Sequence, residues 1–282
     1  MSEHGQQLRR GQRFAFGENW QRFAEHVDET RIELAETSLR DMLDTASLAG
    51  RTFLDAGSGS GLFSLAARRL GARVHSFDFD PQSVACTEAL RERFADGDGD
   101  GDWQVETGSV LDATYLDNLG HFDVVYSWGV LHHTGALWDA LANVAARVAP
   151  RGQLFVAIYN DQGGWSRRWL RIKRLYNRLP RALRAPYAAG VMAPRELLFL
   201  TSATLRGQPG AYLRSWTDYQ RTSLRGMNRW HDLIDWVGGY PFEVAKPEAI
   251  FDFLRPRGFT LQRLHTVGGG LGCNEFVLRH AD

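Results

Sequence analysis

The spacing of apolar residues changes three times along this chain, and each change predicts a different kind of element. Near the start comes Phe14, then Phe16, Trp20 and Phe23 at helical spacing from Phe16 onward, and Ile32, Ala35, Leu39 and Leu43 mark a second helix. From Arg51 the pattern alternates. Arg51–Leu54, Arg73–Phe79, Trp103–Thr107, His121–Ser127 and Gln153–Tyr159 read as strands. Helical repeats at Leu62, Leu65, Ala66 and Leu70, at Pro81–Phe94 and at Ala136–Val148 fall between them. Such alternation predicts an α/β fold: a Rossmann-like doubly wound sheet of seven strands, mostly parallel, with ligands beyond the carboxyl ends of the strands. Past Asn160 the alternation stops. Trp165, Trp169, Ile172, Tyr176 and Leu179 share one helical face with arginines around it, and Leu197–Thr204, Tyr212–Leu224 and Arg229–Val237 suggest more helices. A helix at Pro247–Leu254, strands at Thr260–Thr266 and Cys273–Arg279 and the glycine loop Val267–Gly272 restore the sheet with an antiparallel hairpin. The expected organisation is a helical cap over 1–47, a ligand-binding core over 48–160, a helical insertion over 161–245 and the rest of the sheet over 246–282.

Composition narrows the class. The 282 residues suffice for one core and a sizeable extra element. The first dozen residues are polar, no apolar run reaches the ~20 residues of a membrane span, and two cysteines are too few for a disulfide framework. A reduced cytoplasmic protein is expected, and a three-cysteine iron–sulfur motif is excluded. Formal net charge is zero, but 161–245 holds 14 basic against 6 acidic residues. Lys173 and Lys246 are the only lysines. Asp96–Asp102 mimics the opening of a calcium loop, yet its twelfth place is Thr107 rather than Glu, so no metal is expected.

Chemistry concentrates after the first strand, in Asp55-Ala-Gly-Ser-Gly-Ser-Gly61. A strand, a bare turn and a helix N-terminus bring a ligand close to backbone N–H groups. Leu62 stands where the dinucleotide fingerprint needs a small third residue, and no lysine follows as in a phosphate-cradling loop. Asp78 ends the second strand 21 residues after Gly57, where an acid takes both ribose hydroxyls of a nucleoside. Asp80, before Pro81, reads as a helix cap. The D-x-G-x-G-x-G turn resembles the first motif of class I S-adenosylmethionine-dependent methyltransferases. Phe122–Thr134, with its Leu131-His132-His133, resembles their fourth motif, closest to the quinone-pathway and small-molecule group, and Ala149–Leu154 resembles their later Pro-Gly turn.

That resemblance implies S-adenosyl-L-methionine as cofactor, S-adenosyl-L-homocysteine as product and methylation of a small molecule, most simply at a hydroxyl or phenol. It implies cofactor contacts from Asp55, Gly57, Ser58, Gly59, Gly61, Asp78 and Phe79, and from Ser109, Val110 or Asp112 around the adenine. Trp128 joins them, with Phe16 and Trp20 as an aromatic cap. His133, with His132, is the candidate base, since histidine titrates near neutral pH. Tyr159, Asn160, Tyr240, Glu243, Asn274 and Glu275 are acceptor-side candidates at strand ends and turns. The arginine-rich insertion would be the acceptor lid; it offers an anionic substrate or a membrane surface a partner, while nucleic acid is not expected. A peptide or protein acceptor, methylated at carboxyl or side chain, stays open, as do a non-catalytic cofactor-binding protein and the oligomeric state.

Overall fold

In the computed structural model, residues 3–17, 20, 27–94, 102–218 and 229–282 are described. Phe23 and most of the calcium-like run, 96–101, lie outside them. Seven strands form one sheet in the order β3-β2-β1-β4-β5-β7-β6. They are β1 (Thr52–Ala56), β2 (Arg73–Asp78), β3 (Trp103–Thr107), β4 (Phe122–Trp128), β5 (Val148–Tyr159), β6 (Phe259–His265) and β7 (Cys273–His280). The first five are parallel, and β7 runs antiparallel to both neighbours. The order reverses between β1 and β4, so the crevice at their carboxyl ends is where a ligand belongs.

Side-chain alternation gives the sheet two cores. Leu54, Val125, Leu154 and Val156 face one cluster, while Phe53, Val124, Tyr126 and Phe155 face the other. Helix α1 (Glu3–Arg9) precedes α2 (Glu29–Leu43), whose Ile32, Ala35, Leu39 and Leu43 are all buried in the second cluster. Thus α2 is a layer of the core, where the sequence pattern had suggested a cap. Helices α3 (Leu62–Arg69), α4 (Pro81–Phe94) and α6 (Leu137–Ala145) follow their strands. The short α5 (Ala113–Leu119) has too few apolar positions to show in the pattern. β5 starts at Val148, five residues before its expected start, on residues assigned in part to a helix.

The insertion holds α7 (Gly164–Arg178), α8 (Arg181–Leu205), α9 (Pro209–Thr217) and α10 (Arg229–Gly238), before α11 (Pro247–Leu254) returns to the sheet. α8 is far longer than Leu197–Thr204, continuing through Pro186 and Pro194, each of which gives up one helical hydrogen bond. Four of the five insertion tryptophans, Trp169, Trp216, Trp230 and Trp236, pack around a third core of Phe14, Tyr176, Met192, Leu233 and Val237. Lys173 is wholly buried there, donating to the carbonyl of Trp236 with its ammonium over the Trp236 and Phe242 rings. Burial pushes its value down to about 7.

Candidate active site

The glycine turn is bare for steric reasons. Gly57 has φ +94°, and a Cβ there would meet Val130 at 2.5 Å. Gly61 has φ +79° and would meet Thr87 at 2.9 Å. The N–H groups of Gly57 and Ser58 donate to the carbonyl of Phe77, tying the turn to the end of β2, and Ser58 Oγ pairs with Thr87 Oγ1 at 2.9 Å.

Asp55 lies beneath this turn, 2% exposed. Trp103 Nε1 donates to Ser76 Oγ, Ser76 to Ser64 and Ser64 to Asp55 at 2.5 Å, a relay in which every donor points toward the carboxylate. Burial raises Asp55 to about 7, with Ser64 opposing and the charge of Asp78 adding. Its contact with Ser64 makes it a brace for the turn and α3.

Asp78 stands at the crevice. It accepts the N–H of Gly59 at 3.0 Å and that of Asp80 at 2.9 Å. Burial lifts it to about 6, against the pull of these two N–H groups and of Arg13. A carboxylate has about four acceptor sites, so two such bonds leave capacity for a pair of hydroxyls.

Residues 13–17 and Trp20 lie over the carboxyl ends of β1 and β2. The Arg13 guanidinium lies 4.9 Å from the Phe79 ring centroid and donates to the carbonyl of His133 at 3.3 Å. Gly17 N donates to Asp80 Oδ2 at 3.0 Å, while Asp80 Oδ1 takes Gln82 N at the start of α4. Trp20 covers Gly59, where a Cβ would meet the indole at 3.1 Å. Phe16 sits 4.8 Å from the His133 ring. Sequence reasoning missed Arg13, one arginine among many with no spacing signal.

Around the expected adenine position, two side chains hold the local turn. Asp112 is exposed, and its carboxylate caps α5 by accepting Tyr115 N at 2.9 Å. Ser109 Oγ accepts Leu111 N at 3.2 Å, holding the same turn. Val110 is buried in the first core cluster.

The two histidines divide their tasks. His132 is fully buried, its ring 3.9 Å from that of Tyr159 and its Nδ1 accepting Tyr159 N at 3.3 Å. It braces the loop after β4. His133 Nδ1 is 2.6 Å from the carbonyl of Pro241. A carbonyl only accepts, so Nδ1 carries the proton, and Nε2 is the basic nitrogen of the neutral ring.

Pro241 belongs to a segment, 240–245, that joins the insertion to the core. Tyr240 O accepts Phe14 N, Glu243 N donates to His132 O and Ala245 N donates to Tyr159 O. The Glu243 carboxylate accepts Gly135 N at 2.9 Å and Leu137 N at 3.1 Å, capping α6 from a distant part of the chain. Burial raises its value despite these donors. The other acceptor-side candidates are similarly engaged. Trp128 Nε1 donates to Glu275 at 2.8 Å. Asn160 donates to Gly268 O and accepts from Asn274, whose Oδ1 takes Val267 N. Both asparagines therefore shape the loop Val267–Gly272. Beside it opens a cleft of about 780 Å³, lined by Gln162, Trp165, Trp169, Lys246 and Gly268–Leu271. Among the described residues, no group of His, Cys, Asp and Glu could hold a metal.

Strand order, turn and acid together define a nucleoside-binding α/β protein of the methyltransferase kind. A family model described as a methyltransferase domain matches residues 54–154, and together with the relatives below it supports a class I S-adenosylmethionine-dependent methyltransferase. The tRNA U34 carboxymethyltransferase of Methylococcus capsulatus is 35% identical over 111 residues, covering 39% of this chain and 32% of that protein. The ubiquinone biosynthesis O-methyltransferase of Xanthomonas euvesicatoria is 29% identical over 134 residues, 48% of this chain and 51% of the relative. The chain thus spans about half or less of these curated relatives. Magnesium protoporphyrin IX methyltransferase from Synechocystis, solved with bound SAH, shares the fold with a TM-score of 0.52 at 14% identity, over 99% of this chain and 96% of that one.

Proposed function

We propose that this protein transfers a methyl group from S-adenosyl-L-methionine to a hydroxyl or phenol of a small molecule. The observation that carries the reading is Asp78 fastened to Gly59 N at 3.0 Å, which puts a carboxylate with spare acceptor capacity beside the glycine turn. Asp78 would take the ribose hydroxyls, and Phe79 and Val110 would flank the base. Gly57, Ser58, Gly59 and Gly61 leave room for the amino-acid end, with Asp55 bracing them from below. Arg13, Phe16 and Trp20 would close over the site and exclude water. When bound, the cofactor supplies a methyl on a positively charged sulfur, already activated for in-line attack.

The chain's own contribution is then position and a proton. Holding two reactants in line is worth roughly 7–11 kcal/mol of barrier. His133 Nε2 would take the acceptor's hydroxyl proton, with the Pro241 carbonyl holding the ring in that tautomer. His132 holds the loop rather than the proton. Incubation with methyl-labelled donor and a panel of phenols and hydroxy acids, read by mass spectrometry, tests this. A gain of one methyl on oxygen is expected. Nucleoside binding without transfer to any acceptor would favour a non-catalytic binding protein, and a methylated peptide would replace the small-molecule acceptor.

A further inference from the structure

The far end of the insertion carries an apolar surface that the site does not use. Leu197, Leu198 and Phe199 of α8, Leu205 at its end and Leu213 on α9 are each more than half exposed, Leu205 at 88%. The first three are consecutive, so they point around the helix instead of along one core-facing stripe. Clustered exposed apolar side chains of this size mark an interaction site.

The surrounding charge selects the partner. From Gly164 to Thr217 there are ten arginines and Lys173 against one acid, Glu196. Glu196 is already matched, its two oxygens accepting from Arg229 Nη2 at 3.0 and 2.8 Å. Lys173 is buried, so the exposed balance is carried by arginine. Arg195 lies over the Phe199 ring, and Arg206 and Arg214 directly follow Leu205 and Leu213. Among the described residues, neither Arg206 nor Arg214 forms an ion pair with an acid of the chain.

Leucines and a phenylalanine with Arg195, Arg206 and Arg214 beside them suit the boundary between lipid headgroups and acyl chains. No described helix is long and apolar enough to cross a membrane. A second copy of this chain would bring two strongly basic faces together. A nucleic acid would match the arginines and leave the leucines in water. We propose that the α8–α9 end docks on the surface of an anionic phospholipid bilayer, with Leu197, Leu198, Phe199, Leu205 and Leu213 in the acyl boundary and Arg206 and Arg214 among the phosphates. The inference uses no residue of the glycine turn and stands apart from the methyl-transfer reading.

The test is co-sedimentation of the full chain with vesicles of phosphatidylcholine alone or mixed with phosphatidylglycerol. The variants are Leu198→Ser with Phe199→Ser, and Arg206→Glu with Arg214→Glu, with thermal melting and nucleoside calorimetry as controls on folding. The unaltered protein should pellet only with the anionic vesicles. Each double variant should lower partitioning by about tenfold or more while melting and nucleoside affinity hold. The proposal is overturned if the unaltered protein stays in the supernatant with anionic vesicles, or if both variants partition as it does. It is equally overturned if vesicles do not bind but a labelled RNA does through the arginines, or if the leucine variant only dissolves a dimer. Failure of nucleoside binding would sink the methyltransferase reading and leave this outcome unaffected.

Discussion

At the residue scale the site rests on two groups that must each be free of a proton to act. Asp78 is lifted to about 6 from an ordinary 3.8. In the protein alone, the fold keeps a proton that the unfolded chain has released. This favours folding below about pH 4 and is lost as pH rises through about 6. Ribose hydroxyls prefer the ionised acceptor, so nucleoside affinity should climb as pH rises through about 6 and then level off. Isothermal calorimetry across that window should show the climb in the native protein and none in Asp78→Asn. That variant should also bind about 10- to 150-fold more weakly above it, the value of one charge-assisted hydrogen bond of about 1.5–3 kcal/mol. His133 makes the same demand at Nε2, which acts only when unprotonated, while Pro241 holds the proton on Nδ1. His133→Gln should cost about 10²–10⁴ in kcat with nucleoside affinity retained, and should remove the acid limb of the pH–rate profile. Full turnover in that variant would exclude the role.

At the element scale, what was legible in the sequence was whatever repeats or sits at a fixed offset. β3, α4 and α11 begin and end where their apolar spacing and proline starts put them. Asp78 and the glycines were readable because a turn and a strand end fix their distance along the chain. What escaped depends on segments far apart in sequence. Arg13 meets Phe79 and the His133 carbonyl through tertiary packing, and nothing local announces it. Asp112 was offered with Ser109 and Val110 as an adenine contact, and α5 is too short to betray in the sequence that Asp112 caps its start. Glu243 looked like an acceptor ligand, yet it caps a helix more than 100 residues upstream. That predicts a double effect for Glu243→Ala. Loss of the cap should cost about 0.5–2 kcal/mol of stability by thermal melting. Because the carboxylate also anchors the segment whose backbone holds His132 and His133, kcat should fall further than nucleoside affinity does. A change in stability with kinetics untouched would assign Glu243 to α6 alone.

At the scale of the whole molecule, neutrality conceals segregation. The formal charge is zero, yet 164–217 is strongly basic, so the remainder carries the compensating acid. Screening acts over roughly 8–10 Å at ordinary salt, so such a region behaves as its own field instead of averaging out. Near its isoelectric point of about 7.1 the protein should still be retained on a sulfonate resin and released by added salt. Arg206→Glu with Arg214→Glu should elute earlier, and co-elution would show that the patch is compensated. The 240–245 segment sets a different boundary. It leaves the insertion and, within six residues, fixes Phe14, both histidines, the start of α6 and Tyr159. A chimera that replaces the insertion, cut at the obvious helix ends, should therefore disturb the tautomer of His133 along with whatever else it changes. Any redesign of the insertion has to keep those six residues as part of the core.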